Sequence, residues 1–155
     1  MSIESLFKTE VRIENRKMIY MLTAQGNDIT ELRMIQFIND IDTMLNTFYH
    51  KDVTNIHLVF VVKNVKLPSN FTLLDEFAQV FIKHRAIILE KLHFTILQNE
   101  NNLFRIFFTI FKKYYNPLKP LYLCKTDEEV QECLHNQEKR KEFNEIMNQL
   151  NEKNE

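Results

Sequence analysis

The stretch that decides the fold is Ile56-His57-Leu58-Val59-Phe60-Val61-Val62, a nearly continuous run of apolar residues. A run of this kind, without polar alternation, is typical of a strand that is covered on both faces. Shorter apolar runs follow at residues 94–97 and 121–124, and helical patterns separate all three runs. This alternation of strands and helices predicts an α/β domain with parallel strands.

Two further strands are predicted before this stretch, at residues 11–14 and 18–23, and residues 15–17 join them as a hairpin. Asp28 and Glu31 resemble a capping box, and the helix that follows carries apolar residues at spacings of three and four. We therefore predict one α/β domain over residues 1–135. Its single mixed, mostly parallel sheet has four or five strands and is flanked by helices.

A charged tail, residues 136–155, follows this domain. Its apolar side chains fall on one helical stripe, and they are Phe143, Ile146, Met147 and Leu150. The stripe predicts a tail helix that packs on its own domain or on a partner. We expect a deletion after Asn136 to lower the melting temperature or to cause aggregation.

Composition excludes several classes of function. The chain has 155 residues, a net charge of −1 and one glycine, Gly26. With a single glycine, the chain holds neither a dinucleotide fingerprint, nor a phosphate loop, nor a nucleophile elbow. The near-neutral charge argues against a general nucleic-acid binder. No catalytic residue and no cofactor is predicted, and we expect a protein that is not an enzyme.

The cysteines and histidines show no metal-ligand spacing. Cys124 and Cys133 fall on a predicted strand and on the helix after it, where we expect buried, reduced thiols. His57 lies within the apolar run and His84 on an apolar helix face. We predict that both histidines are hydrogen-bonded residues of the core or its boundary, and that no metal is bound.

The chain shows no sign of membrane insertion. Residues 1–8 lack the basic-then-apolar pattern of a signal peptide. The longest strictly apolar run, residues 58–62, is too short to span a bilayer. We expect no membrane span and a cytoplasmic location.

The order of elements over residues 9–134 resembles the STAS domain, the fold of bacterial anti-sigma-factor antagonists and of the cytoplasmic tails of sulfate transporters. Residues 14–45 are similar to the family's opening strand, acidic cap and amphipathic helix. Residues 56–74 resemble its hydrophobic strand, connector and second helix, and residues 124–134 its last strand and terminal helix. The resemblance implies an α/β interaction module.

In the STAS family, a serine or threonine before the second helix is phosphorylated and thereby switches partner binding. The corresponding stretch here is Leu67-Pro68-Ser69-Asn70-Phe71-Thr72. Ser69 stands at about the acceptor position, Pro68 replaces the acid, and no glycine follows. Ser69, Asn70, Phe71 and Thr72 are therefore a candidate partner loop or degenerate phosphoacceptor loop, and a helix cap is the simpler interpretation. We expect no efficient phosphorylation of Ser69.

Residues 81–121 also resemble the lipid-binding lobe of CRAL-TRIO domains, with an aromatic helix that ends in Tyr114-Tyr115-Asn116-Pro117. The apolar surface of this helix is wider than packing on a sheet requires. The tail could cover the excess. Otherwise Phe104, Phe108 and Tyr115 form a possible apolar face for a partner or ligand.

The function predicted from the sequence is a non-enzymatic protein-interaction module, regulatory or part of a larger assembly. Its expected partner is another protein or a second copy of the chain. The alternative is a small carrier of a lipid or apolar ligand, of CRAL-TRIO-like type. Short basic clusters such as Lys112-Lys113 are read as solvated faces.

Overall fold

The computed structural model describes residues 7–14, 16–25, 30–49, 55–62, 73–99, 110–114 and 118–140. The strands are β1 (Phe7–Glu14), β2 (Lys17–Ala24), β3 (Ile56–Val61), β4 (Leu92–Gln98) and β5 (Leu121–Cys124). The helices are α1 (Glu31–Phe48), α2 (Leu74–Lys83), α3 (Arg85–Lys91) and α4 (Asp127–His135). Residues 110–111 and 137–140 are also helical.

The five strands form one mixed sheet, in which their order in space is their order in the chain. β1 pairs with β2 in the antiparallel direction, and the other three pairings are parallel. β1 and β5 are therefore the edge strands. The predicted fold class, an α/β domain with a single, mostly parallel sheet flanked by helices, is confirmed.

Helices α1, α2 and α3 cover one face of the sheet, which we call the first face. Its core joins β2 residues such as Tyr20 and Leu22 to Ile56 and Leu58 of β3. All seven apolar residues that the sequence pattern placed on the inner stripe of α1 are buried, namely Met34, Phe37, Ile38, Ile41, Met44, Leu45 and Phe48. The helix prediction is confirmed there.

Helix α4 packs on the opposite side of the sheet, the second face. Successive residues of a strand point to opposite faces, so the same strands supply a second, smaller core. Its members are Ile19, Val59, Phe94, Ile96, Tyr122 and Cys124 from the strands and Val130, Cys133 and Leu134 from α4. The strands are apolar on both sides for this reason, which accounts for the continuous run at residues 56–62.

Helix α4 begins with a capping box at Thr126 and Glu129. The Thr126 hydroxyl accepts a hydrogen bond from the backbone N–H of Glu129 at 3.1 Å. The Glu129 carboxylate in turn accepts one from the Lys125 N–H at 2.8 Å. These bonds satisfy backbone groups that a helix start leaves open. Cys124 and Cys133 are buried, free thiols, as expected.

Three local predictions are wrong. The first hairpin begins earlier, and two residues rather than three join its strands, because Lys17 already pairs with Glu14. Thr30, and not Asp28, caps α1, since its hydroxyl accepts a hydrogen bond from the Arg33 N–H at 3.2 Å. The helix predicted to carry His84 on its apolar face is broken at that residue into α2 and α3.

The start of the tail lies on the second face. Residues 137–140 are helical, and the Arg140 guanidinium lies 5.1 Å from the centre of the Phe94 ring. Phe111, in the described end of the aromatic helix, packs on the first face, 5.2 Å from Phe77. The chain therefore enters the tail on the side of the sheet opposite Phe111. The stripe at Phe143, Ile146, Met147 and Leu150 lies outside the described residues.

Candidate functional site

The two surfaces singled out from the sequence lie outside the described residues. This applies to the loop of Ser69, Asn70, Phe71 and Thr72 and to the apolar face of Phe104, Phe108 and Tyr115. Both stay predictions. The described part of the chain offers a different candidate, which is the edge of the sheet at β1.

A groove with a volume of about 500 Å³ lies between β1 and α1 on the first face. Its lining is mostly apolar along β1 and β2 and includes polar side chains along α1. The lining residues are Phe7, Thr9, Val11, Tyr20, Leu22, Phe37, Asp40, Thr43, Met44 and Thr47. The groove is partly open to solvent, so it suits a side chain presented from outside better than an enclosed ligand.

The strand beside this groove exposes apolar side chains. Val11 is 50% exposed and Ile13 is 70% exposed, although both lie on the first face, opposite the buried Tyr20 and Met18 of β2. β1 is an edge strand of the described sheet. An exposed apolar edge beside a groove is the kind of surface on which strand addition occurs.

The outer edge of β1 presents the backbone groups of its odd-numbered residues. Glu14 pairs with Lys17 across a two-residue loop, and such a loop is closed by a hydrogen-bonded pair. Hydrogen-bonded and non-hydrogen-bonded pairs then alternate along the hairpin. The N–H and C=O groups of Thr9, Val11 and Ile13 therefore point away from β2.

The even-numbered residues of β1 place charges on the second face. They are Lys8, Glu10, Arg12 and Glu14, so the sign alternates along the strand. Arg12 and Glu14 form an exposed ion pair of 3.8 Å within the strand. One edge strand thus carries an apolar row on one side and a row of alternating charge on the other.

A second polar cluster joins α1 to the junction of α2 and α3. His84 is 2% exposed, and its Nε2 lies 2.7 Å from the Asp42 carboxylate. A carboxylate only accepts hydrogen bonds, so Nε2 donates, and Nδ1 is left to accept one from the Tyr49 hydroxyl at 3.4 Å. Lys83 also contacts Asp42, at 3.1 Å.

This Tyr49–His84–Asp42 chain stabilises the packing of the helices. The hydrogen bond from His84 holds the pKa of Asp42 below its usual value, against the opposing effect of burial. Both ring nitrogens of His84 already have partners, so neither is left to contact a substrate. The prediction that His84 is a hydrogen-bonded core residue is confirmed.

Three further buried polar side chains, Lys91, Gln98 and Asn99, also have partners. Lys91 donates to the Phe48 carbonyl at 2.7 Å, and Asn99 donates to the Val62 carbonyl at 3.2 Å. Gln98 donates to Asp127 at 2.7 Å, which ties β4 to the start of α4. Such bonds compensate the desolvation of buried polar groups.

Within the described ranges, no group of three or more His, Cys, Asp or Glu side chains is placed to hold a metal ion. None of the described helices is both long and apolar enough to cross a bilayer. The Cys124 thiol has a raised pKa because it is hydrogen-bonded to Cys133 and buried. A thiol in that state is a poor nucleophile.

The edge at β1 was not recognised from the sequence, which placed the strand only at residues 11–14. The missed signal is the alternation over Phe7-Lys8-Thr9-Glu10-Val11-Arg12-Ile13-Glu14, in which every second residue is charged. That period predicts a strand with one apolar and one polar face. The contact between Asp42 and His84 had no such signal, because the two residues are far apart in the chain.

Comparison of this chain with protein-family models, with curated proteins and with solved structures found no match.

Proposed function

We propose that this chain is a non-enzymatic protein-interaction module that pairs through the outer edge of β1, and that its partner is a second copy of the same chain. The observation that carries the proposal is the charge pattern of β1, which is complementary to itself. Two copies of the strand, related by a two-fold axis, match every charge on one with an opposite charge on the other.

The match follows from the strand register. A two-fold axis through Val11 places Val11 opposite its own copy in an antiparallel pair. Lys8 then lies opposite Glu14, and Glu10 lies opposite Arg12. Opposite charges directly across a strand pair are stabilising, whereas like charges are not. In this register the odd-numbered residues of one copy lie opposite odd-numbered residues of the other. These are the residues whose backbone N–H and C=O groups point outward from β1.

The first face gains apolar contact in the same arrangement. Thr9 lies opposite Ile13 of the second copy, at the mouth of the groove beside α1. Val11 and Ile13, which are exposed in one copy, are then covered. Backbone hydrogen bonds supply affinity in this mode of recognition, and the side-chain pattern supplies the register. The two sheets continue into one another across the pair.

The resemblance to the STAS domain supports an interaction role, because the family acts through regulated protein contacts. The antiparallel first hairpin and the parallel strands after it agree with the order of elements from which that resemblance was drawn. The regulatory or assembly role of the pair is part of this proposal.

A variant with a charge at the symmetry axis tests the proposal. Val11→Lys puts two lysines directly opposite one another in the pair and should shift the protein to monomer in sedimentation-velocity experiments. Leu89→Lys is the matched control, because Leu89 is also 50% exposed but lies on α3, away from β1. The control should associate like the unaltered chain.

Two results would overturn the proposal. One is an unaltered chain that stays monomeric across the micromolar to millimolar range. The other is a Val11→Lys variant that associates as well as Leu89→Lys does. Organic extraction of protein purified from its source tests the alternative function, since a lipid recovered in one-to-one amount with a monomer assigns the groove to a carrier.

A further inference from the structure

His57 is a buried histidine without a hydrogen-bond partner. The residue is fully buried, and neither ring nitrogen has a partner in the described part of the structure. The sequence-based prediction for His57 is therefore correct on burial and wrong on hydrogen bonding. Other buried side chains such as His84 and Lys91 do have partners. An orphaned imidazole in such surroundings calls for an explanation in terms of function.

A β-bulge brings a second histidine beside it. Ile56 pairs with Leu92 and His57 with Phe94, so His93 is an extra residue on β4. The rings of His57 and His93 lie 5.1 Å apart, edge to face. Bulges re-aim side chains and are frequent next to functional sites. The irregularity thus gathers two imidazoles at the beginning of two adjacent parallel strands.

Further basic groups converge on the same place. Arg140 lies over the ring of Phe94, whose centre is itself 4.1 Å from that of the His57 ring, and the buried Arg140 Nε has no partner among the described residues. The strand register places Lys17 just before Met18, which pairs with Ile56, and Lys119 two residues before Leu121, which pairs with Thr95. Both lysines, and His135 at the end of α4, also act electrostatically on one or both imidazoles. We call the group of Lys17, His57, His93, Lys119, His135 and Arg140 the basic cluster. It is a local excess of positive charge in a chain whose net charge is −1.

We propose that the basic cluster is a binding site for a phosphate group, either as inorganic phosphate or as a phosphate monoester. A phosphate dianion has several oxygens that accept hydrogen bonds, so cationic side chains from different strands and helices can contact it together. The planar guanidinium group of arginine is well suited to binding these oxygens. The site lies on the second face, at the starts of β3 and β4, so it is separate from the groove on the first face. It does not depend on the pairing of two copies.

The site also predicts a pH dependence. Burial and the neighbouring positive charges lower the pKa of both His57 and His93, so both are neutral at pH 7 without a ligand. A bound dianion stabilises the charged imidazoles and raises their pKa values, so phosphate should bind more tightly at pH 6 than at pH 8. Other titratable groups on the second face are Tyr122 and Cys133, and Glu14 lies opposite Lys17 in the first hairpin.

The test is a titration of the full chain with inorganic phosphate, followed by NMR of the histidine rings at constant ionic strength. We expect saturable shifts of His57 and His93, tighter binding at pH 6 than at pH 8, and at least tenfold weaker binding in Arg140→Gln. Arg85→Gln, which removes the same charge from an exposed position on α3, should leave binding unchanged. Lys119→Gln is a second variant, and it should weaken binding too.

The proposal is overturned if chloride at matched ionic strength gives the same shifts, or if Arg140→Gln and Lys119→Gln bind phosphate as tightly as Arg85→Gln. A parallel titration with glycerol 2-phosphate separates the two sources of the group. Tighter binding than that of inorganic phosphate assigns the site to monoesters, and weaker binding assigns it to free phosphate.

Discussion

Two histidines show how differently one residue type is used in this chain. His84 and His57 are both enclosed, but His84 donates to Asp42 and His57 has no partner among the described residues. The apolar pattern around each residue predicted its burial. It could not predict hydrogen bonding, because the partner of His84 lies on a different helix and only the tertiary fold brings it near.

The hydrogen bond of His84 should contribute measurably to stability. Asp42→Ala removes the acceptor and leaves a buried N–H group unsatisfied, so we expect the free energy of unfolding to fall by about 1–3 kcal/mol. Lys83→Ala is the control, because it removes an exposed contact to the same carboxylate, with an expected loss of about 0.2–1 kcal/mol. Urea denaturation measures both. Equal losses in the two variants would contradict this account of His84.

His57 should make the protein sensitive to acid. Its pKa falls from 6.5 to about 3 in the folded chain, mainly because of burial. Below pH 6.5 the unfolded chain binds a proton that the folded chain does not, so the free energy of unfolding decreases as the pH falls. The slope is about 1.4 kcal/mol per pH unit down to about pH 3.

The variant His57→Leu isolates this effect. Urea denaturation between pH 7 and pH 4, in buffers without phosphate, should show a difference between variant and unaltered chain that grows by about 2 kcal/mol from pH 6.5 to pH 5. If the free energy of unfolding changes equally with pH in the two proteins, His57 is protonated, or solvated, in the folded state.

At the scale of elements, helices with a sustained apolar period could be predicted and junctions could not. The inner face of α1 agrees with the sequence pattern in full. The spacing of apolar residues does not reveal the break between α2 and α3 at His84. Phe77 and Ile88, on either side of the break, fit one continuous helical stripe. The bulge at His93 is likewise a product of pairing between β3 and β4.

Strand position should set the rate of amide hydrogen exchange. β3 and β4 lie between other strands, so we expect their amides, at Ile56–Val61 and Leu92–Gln98, to exchange only on near-global unfolding. In dilute protein, the outward amides of Val11 and Ile13 should exchange fast. Their exchange should slow as the protein concentration rises, since pairing covers that edge. Fast exchange throughout β3 would contradict the topology.

At the scale of the whole molecule, the alternation of strands and helices was enough to predict an α/β fold, because each element must bury its apolar surface against another layer. The candidate site was not predictable in the same way. A surface such as the β1 edge depends on which strand ends at the border of the sheet and how far α1 extends over it. Neither property is local in sequence.

The measurement that tests self-pairing most directly uses two charge-reversed variants, Glu10→Arg and Arg12→Glu. In the proposed register Glu10 faces Arg12 of the second copy, so each variant alone places like charges opposite one another and should be monomeric by native mass spectrometry. In an equimolar mixture every one of these pairs is again of opposite sign. The account predicts a heterodimer in the mixture and little homodimer in either variant alone. Variants that both dimerise alone, or a mixture that stays monomeric, would contradict it.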